Sequence, residues 1–186
     1  MTKWRVFSLA LGLTVVLGGC SRGRMAMDAA HTKPAPHPEM QRLARMVGTW
    51  SGTAEVVEPD VPGSFKGTTT SAWALGGQFL RNEGGHEMGE GQSANYVEMI
   101  TWDPRQNAYR SWYFSDWGEH GTGEITVSDD GSCWCVKSRG FDAAGNRKTG
   151  EGCVTFLSDN TQEWTWTEKG GPAGRMRLKG TATRQP

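Results

Sequence analysis

Beyond residue 48 the apolar side chains recur at every second position. Trp50, Ala54 and Val56 fall on one face of a strand, Phe65 and Trp73 on one face of the next, and Trp164 and Trp166 alternate with Glu163, Thr165 and Thr167. Period two marks extended backbone, whose successive side chains point to opposite faces. Turn-forming runs interrupt the alternation at hairpin spacing: Asp103-Pro104-Arg105-Gln106-Asn107, Asp129-Asp130-Gly131, Asp142-Ala143-Ala144-Gly145 and Ser158-Asp159-Asn160. The pattern predicts about ten strands, near 50–57, 64–75, 78–86, 94–102, 108–116, 121–127, 133–140, 148–157, 161–168 and 175–184. Just before them, Met40, Leu43, Met46 and Val47 form one apolar stripe of a short helix that Gly48 stops. Many short strands without strand–helix alternation imply an all-β, antiparallel, up-and-down meander. Closing it into a single barrel removes its exposed edges.

The first residues follow another rule. Lys3 and Arg5 precede an apolar run from Val6 to Gly19, and Leu17-Gly18-Gly19 leads directly into Cys20. The run is shorter than the roughly 20 residues that cross a bilayer, which favours a cleaved export segment over a retained helix. The arrangement resembles a bacterial lipoprotein signal. That resemblance implies a signal peptide over 1–19, acylation of Cys20 and a membrane anchor; Ser21 in place of Asp implies sorting to the outer membrane, with the domain facing the periplasm or the cell surface. Residues 20–37 combine Ala, Pro and charge without apolar periodicity and read as a disordered tether. Residues 38–186 form the domain.

Without Lys3 and Arg5 the chain carries 18 basic against 20 acidic side chains, so no basic surface for nucleic acid is expected. Export also places the remaining Cys133, Cys135 and Cys153 in an oxidising compartment. If Gly145 takes the left-handed position of a three-residue hairpin loop, Asp142 pairs with Asn146 and Cys135 stands opposite Cys153. A Cys135–Cys153 disulfide follows, with Cys133 left over.

Gly48-Thr49-Trp50, after a short helix and opening the first strand, resembles the start of the calycin barrels, the group of lipocalins and fatty-acid-binding proteins. The resemblance implies that Trp50 lies across a closed barrel end with Arg184 of the last strand packed on it. More specifically, residues 38–184 are similar to an uncharacterised bacterial family, domain of unknown function 1579. The matching features are Leu43 to Trp50, Trp73-Ala74-Leu75-Gly76-Gly77-Gln78-Phe79-Leu80, and Trp102-Asp103-Pro104 with Tyr109 and Trp112. The chain has Thr101-Trp102-Asp103-Pro104 where the family usually has Gly-Tyr-Asp-Pro, and Gly76-Gly77-Gln78 where it has Gly-Gly-Arg. No activity is established for the family, so none is implied.

Nine tryptophans are the strongest chemical hint. Trp50, Trp73, Tyr96, Trp102, Trp112, Trp134, Trp164 and Trp166 are the candidates to line a ligand site, although so many rings also fill much of a small barrel. Histidines within the domain, His86 and His120, lack metal-ligand spacing, so no metal is expected. Heme-binding barrels of the nitrobindin type take an axial histidine from a late strand, and none follows His120; no cofactor is expected. Nucleophile elbows, phosphate loops and dinucleotide fingerprints are absent, which disfavours an enzyme. Glu98, among aromatics, is a candidate acid or base. The sequence therefore predicts an envelope lipoprotein whose barrel binds a small, partly apolar molecule. Two alternatives stand beside it: a filled barrel acting as an interaction module, and a carboxylate-dependent lipid-modifying or cyclase-like enzyme.

Overall fold

Ten antiparallel strands close on themselves in the computed structural model, which describes residues 32–58, 63–87, 91–171 and 174–186. They are β1 (Gly48–Glu58), β2 (Ser64–Ala74), β3 (Phe79–Glu87), β4 (Ser93–Asp103), β5 (Ala108–Ser115), β6 (His120–Val127), β7 (Cys133–Phe141), β8 (Arg147–Ser158), β9 (Thr161–Gly170) and β10 (Arg175–Arg184). Each strand pairs with its sequence neighbours, and β1 pairs with β10, so no edge is left open. The chain divides into Met1–Pro34 and Ala35–Pro186, and the barrel with its helix lies in the second unit. Cys20 and the signal peptide expected over 1–19 lie outside the described residues.

The helix spans Pro38–Met46 and winds as a 3₁₀ helix. Met40, Leu43 and Met46 are spaced by three, which matches about three residues per 3₁₀ turn and puts them on one face. Met40 and Leu43 are fully buried. They plug one barrel end above Trp50, Leu80, Ile100, Tyr109, Ile125, Trp134 and Phe156, which form a continuous apolar core. Tyr109 Oη ties the plug down by donating to the Glu39 carbonyl at 2.8 Å.

Hairpin chemistry sets the registers. Gly145 has φ +83°, a left-handed value that glycine adopts without a Cβ clash, and Asp142 N–H donates to the Asn146 carbonyl at 3.0 Å. That turn places Cys135 opposite Cys153, and the two form a disulfide on the outer face. Cys133 is a free thiol, its sulfur 4.0 Å from that of Cys135.

Candidate functional site

Away from the plug the barrel interior becomes polar. Registers across β2 to β5 align Ser71, Asn82, Glu98 and Tyr113 as successive cross-strand partners on the inward face. The next inward row is Thr69, Gly84, Tyr96 and Ser115. Because Gly84 has no side chain, Tyr96 reaches across it, and its hydroxyl lies 2.6 Å from Thr69 Oγ1. His86 and Tyr113 stack on the two sides of Tyr96, with ring centroids at 5.3 and 5.7 Å. Strands β2 to β5 thus give a polar wall faced with flat rings.

The opposite wall is built differently. Trp164 and Trp166 of β9 point inward over Gly180 of β10 and over Gly150 and Gly152 of β8. A Cβ on Gly150 would sit 2.1 Å from the Trp166 ring, and one on Gly180 would sit 2.7 Å from the Trp164 ring. Glycine is required here because the indoles occupy the place of its side chain.

Glu98 is the centre of the polar wall. It is partly buried among the neighbouring strands. Burial pushes its carboxyl above the usual range, against opposing hydrogen bonds from Asn82 and Ser111. Asn82 Nδ2 donates to Glu98 Oε2 at 3.0 Å. Ser71 and Asn82 are only 2% and 5% exposed, yet Ser71 Oγ, Asn82 Oδ1 and Ser115 Oγ have no hydrogen-bond partner. Leaving such atoms unmatched costs about 1–3 kcal/mol each. Tyr96 is pushed up to about 12 and Tyr113 is raised as well, both chiefly by burial, and burial lowers His86. The tyrosines are neutral hydrogen-bonding groups at physiological pH.

Toward the end opposite the plug helix, Lys148 Nζ lies 2.6 Å from Glu119 and 2.7 Å from Glu168. Burial alone would lower this lysine, but the two carboxylates outweigh it and hold it charged. Neither Ser71 nor Ser115 touches a base through its hydroxyl, so no activated nucleophile is assembled there. Among the described residues no group of three or more His, Cys, Asp or Glu side chains could hold a metal ion.

The eight aromatic candidates separate into different environments. Tyr96, Trp164 and Trp166 face the half of the interior away from the plug helix. Trp50 and Trp134 are buried in the plugged end, where their indole N–H groups donate to the Met46 and Gly131 carbonyls. Trp102 also belongs there, edge-on to Tyr109 at 4.8 Å and stacked on His37. Trp112 is a correction: Tyr109, Ser111 and Tyr113 take the inward positions of β5, which turns Trp112 outward at 39% exposure. Trp73 is another, lying beyond the packed core against Pro36, Gln41, Gly76 and Gly77 in a shallow outer groove. Ser71, Asn82, Ser111, Ser115 and Lys148 were not singled out by the alternation pattern. Their signal is a polar residue at the apolar phase of a strand, visible only once the register is known.

Residues 35–176 match the model of a family described as a protein of unknown function, DUF1579. The chain belongs to the DUF1579 family. This DUF1579 barrel is similar to Rv2717c from M. tuberculosis, with a TM-score of 0.59 and 12% identity over 81% of this chain and 99% of that one. It is similar also to the S-type phycobiliprotein lyase CPES from Guillardia theta, with a TM-score of 0.58 and 12% identity over 78% of this chain and 92% of that one. Comparison with curated proteins finds no match. At these identities the likeness concerns the fold, which for this DUF1579 member is a calycin-like barrel.

Proposed function

We propose that the half of this barrel away from the plug helix binds one small, partly apolar molecule between the polar wall of β2 to β5 and the tryptophan wall of β9. The observation that carries the reading is the inward row Ser71, Asn82 and Glu98, in which Ser71 Oγ and Asn82 Oδ1 are enclosed without protein partners. A filled structural barrel gains more from apolar residues at these positions. Glycines that make room for two lumenal indoles add to the argument, because small-molecule sites are mostly apolar with a few convergent polar groups. Native mass spectrometry of protein purified from its own membranes tests the reading. One co-purified small molecule per barrel is expected, released by Trp166→Ala. A bare polypeptide mass in every preparation, together with unchanged tryptophan fluorescence across a panel of planar ligands, would exclude it.

The proposal includes an address. Leu17-Gly18-Gly19-Cys20 supports acylation at Cys20 and attachment to the outer membrane. Cys20→Ser is expected to give a soluble or uncleaved product in cell fractionation; a cleaved mutant that still sediments with membranes at wild-type mass overturns this part.

A further inference from the structure

We infer that the ligand of this lumen is a neutral, planar molecule with an amide-type edge, a hydrogen-bond donor beside an acceptor, and that fatty acids and other anions are rejected. The inference rests on the lumenal binding reading and goes beyond it to the chemical class.

The charges come first. Among the described residues the ionisable side chains around the half away from the plug are Glu98, His86, Tyr96, Tyr113, Lys148, Glu168 and, from the β5–β6 turn, Glu119. Lys148 is the lumenal cation, and its ammonium is already held between Glu119 and Glu168. Arg184, at the plugged end, directs its guanidinium to the carbonyls of Arg45, Val47 and Asp159. Among the described residues no lumenal cation is left to receive a carboxylate, and an enclosed anion without a partner is strongly disfavoured. A fatty acid would bring its negative charge beside Glu168, whose lysine partner is already shared with Glu119.

The hydrogen-bond inventory then specifies the edge. Ser71 and Asn82 are direct cross-strand partners. Since Asn82 gives its amide nitrogen to Glu98, its Oδ1 is left as an acceptor that needs an N–H or O–H. Ser71 Oγ and Ser115 Oγ are left as donors that can satisfy a carbonyl. Burial favours the uncharged acid form of Glu98, which adds a further donor to the same wall. A lactam or secondary amide presents the complementary pair on adjacent atoms. Planarity follows from the indoles of Trp164 and Trp166, which lie over glycines on one face and turn the other to the ligand.

Three probes of matched size decide the matter: 2-quinolone with a lactam edge, naphthalene without one, and 2-naphthoate with a carboxylate, each titrated into the intact domain by tryptophan fluorescence. Wild type is expected to bind 2-quinolone at least about tenfold more tightly than either alternative, since a site built to hydrogen-bond discriminates against analogues that lack the group. Asn82→Leu is expected to lose that tenfold preference while still binding naphthalene. Ser71→Ala gives the same readout, with a smaller loss, if the leucine variant does not fold. Equal affinity for 2-quinolone and naphthalene, or 2-naphthoate binding as tightly as 2-quinolone, overturns the ligand class and leaves the lumenal reading standing. No response to any probe overturns both.

Discussion

Arg184, at the end of the last strand, lies over the indole of Trp50 at the start of the first, with its guanidinium carbon 4.3 Å from the ring centroid. The two are also register partners across the β1–β10 seam. The same guanidinium donates to the carbonyls of Arg45, at 2.8 Å, and Val47, while its Nε donates to Asp159 at 3.0 Å. Carbonyls at a helix C-terminus lack intrahelical partners, and a cation there is favoured by the peptide dipoles. One side chain therefore joins the barrel seam to the end of the plug helix.

Trp50→Ala is expected to lower unfolding free energy by about 3–5 kcal/mol, the usual loss for a buried large aromatic. Arg184→Ala loses a cation–π contact of about 0.5–2 kcal/mol and leaves helix-end carbonyls unmatched. Arg184→Lys restores little, because an ammonium does not reproduce the planar fork. Chemical denaturation of both single mutants and the double mutant isolates the pair contribution. Strict additivity would show that the seam is closed by the strand ladder alone.

The Cys135–Cys153 bridge joins adjacent strands on the outer face across a sequence separation of 18 residues. In the chain-entropy model a loop of that size is worth about 3 kcal/mol. Reduction, or a Cys135→Ser/Cys153→Ser double mutant, should lower the unfolding midpoint while preserving the far-ultraviolet spectrum of the barrel. Peptide mapping of the oxidised protein should recover Cys135 linked to Cys153, with Cys133 open to alkylation. A Cys133–Cys153 link would contradict the hairpin register.

Gly150→Ala tests the tryptophan wall. Alanine in a strand is ordinarily tolerated better than glycine, yet here the new methyl would meet the Trp166 ring at 2.1 Å. Overpacking of this kind costs about 1–3 kcal/mol. The variant should lose stability and show altered tryptophan emission, and Gly150→Ala/Trp166→Ala should recover part of the stability loss. If Gly150→Ala stabilises the protein without changing emission, Trp166 does not lie over this glycine.

The strands and their order were legible because period two and turn residues are local signals. The β7–β8 register could likewise be read from one glycine at the third position of a short loop. What escaped was phase. On β5 the rings Tyr109, Trp112 and Tyr113 are all large, and composition alone does not reveal that small Ser111 faces inward and turns Trp112 out. Ser71 and Asn82, the partners of Glu98 in the polar wall, escaped for a related reason: they are far apart in sequence, and each alone looks like a solvated strand position. Two successive registers, β2–β3 and β3–β4, are needed to bring them into line with Glu98. The helix plug was visible as an apolar stripe, but its attachment through Tyr109 and Arg184 depends on contacts across the whole domain.

Glu98 should make stability depend on pH in the sense opposite to an ordinary surface carboxylate. Burial raises its folded-state pKa above the unfolded value. Below the unfolded pKa both states are protonated and no stability is lost through this group. Between the two values the folded protein keeps a proton that the unfolded chain has released, so stability falls with rising pH by up to about 1.4 kcal/mol per unit. Above the folded-state value the loss levels off. Lys148, His86, Tyr96 and Tyr113 titrate in the same surroundings, and carboxyls held low, such as Asp116 and Asp142, act in the opposite direction. Glu98→Gln removes only the first contribution: its amide oxygen can still accept from Asn82, and the other groups remain. Urea unfolding from pH 4 to 9 should therefore give a difference between wild type and Glu98→Gln that moves against wild type as pH rises. A flat difference, or one that favours wild type at high pH, would show that Glu98 is ionised and solvated within the barrel, and the polar wall would lose its uncharged donor.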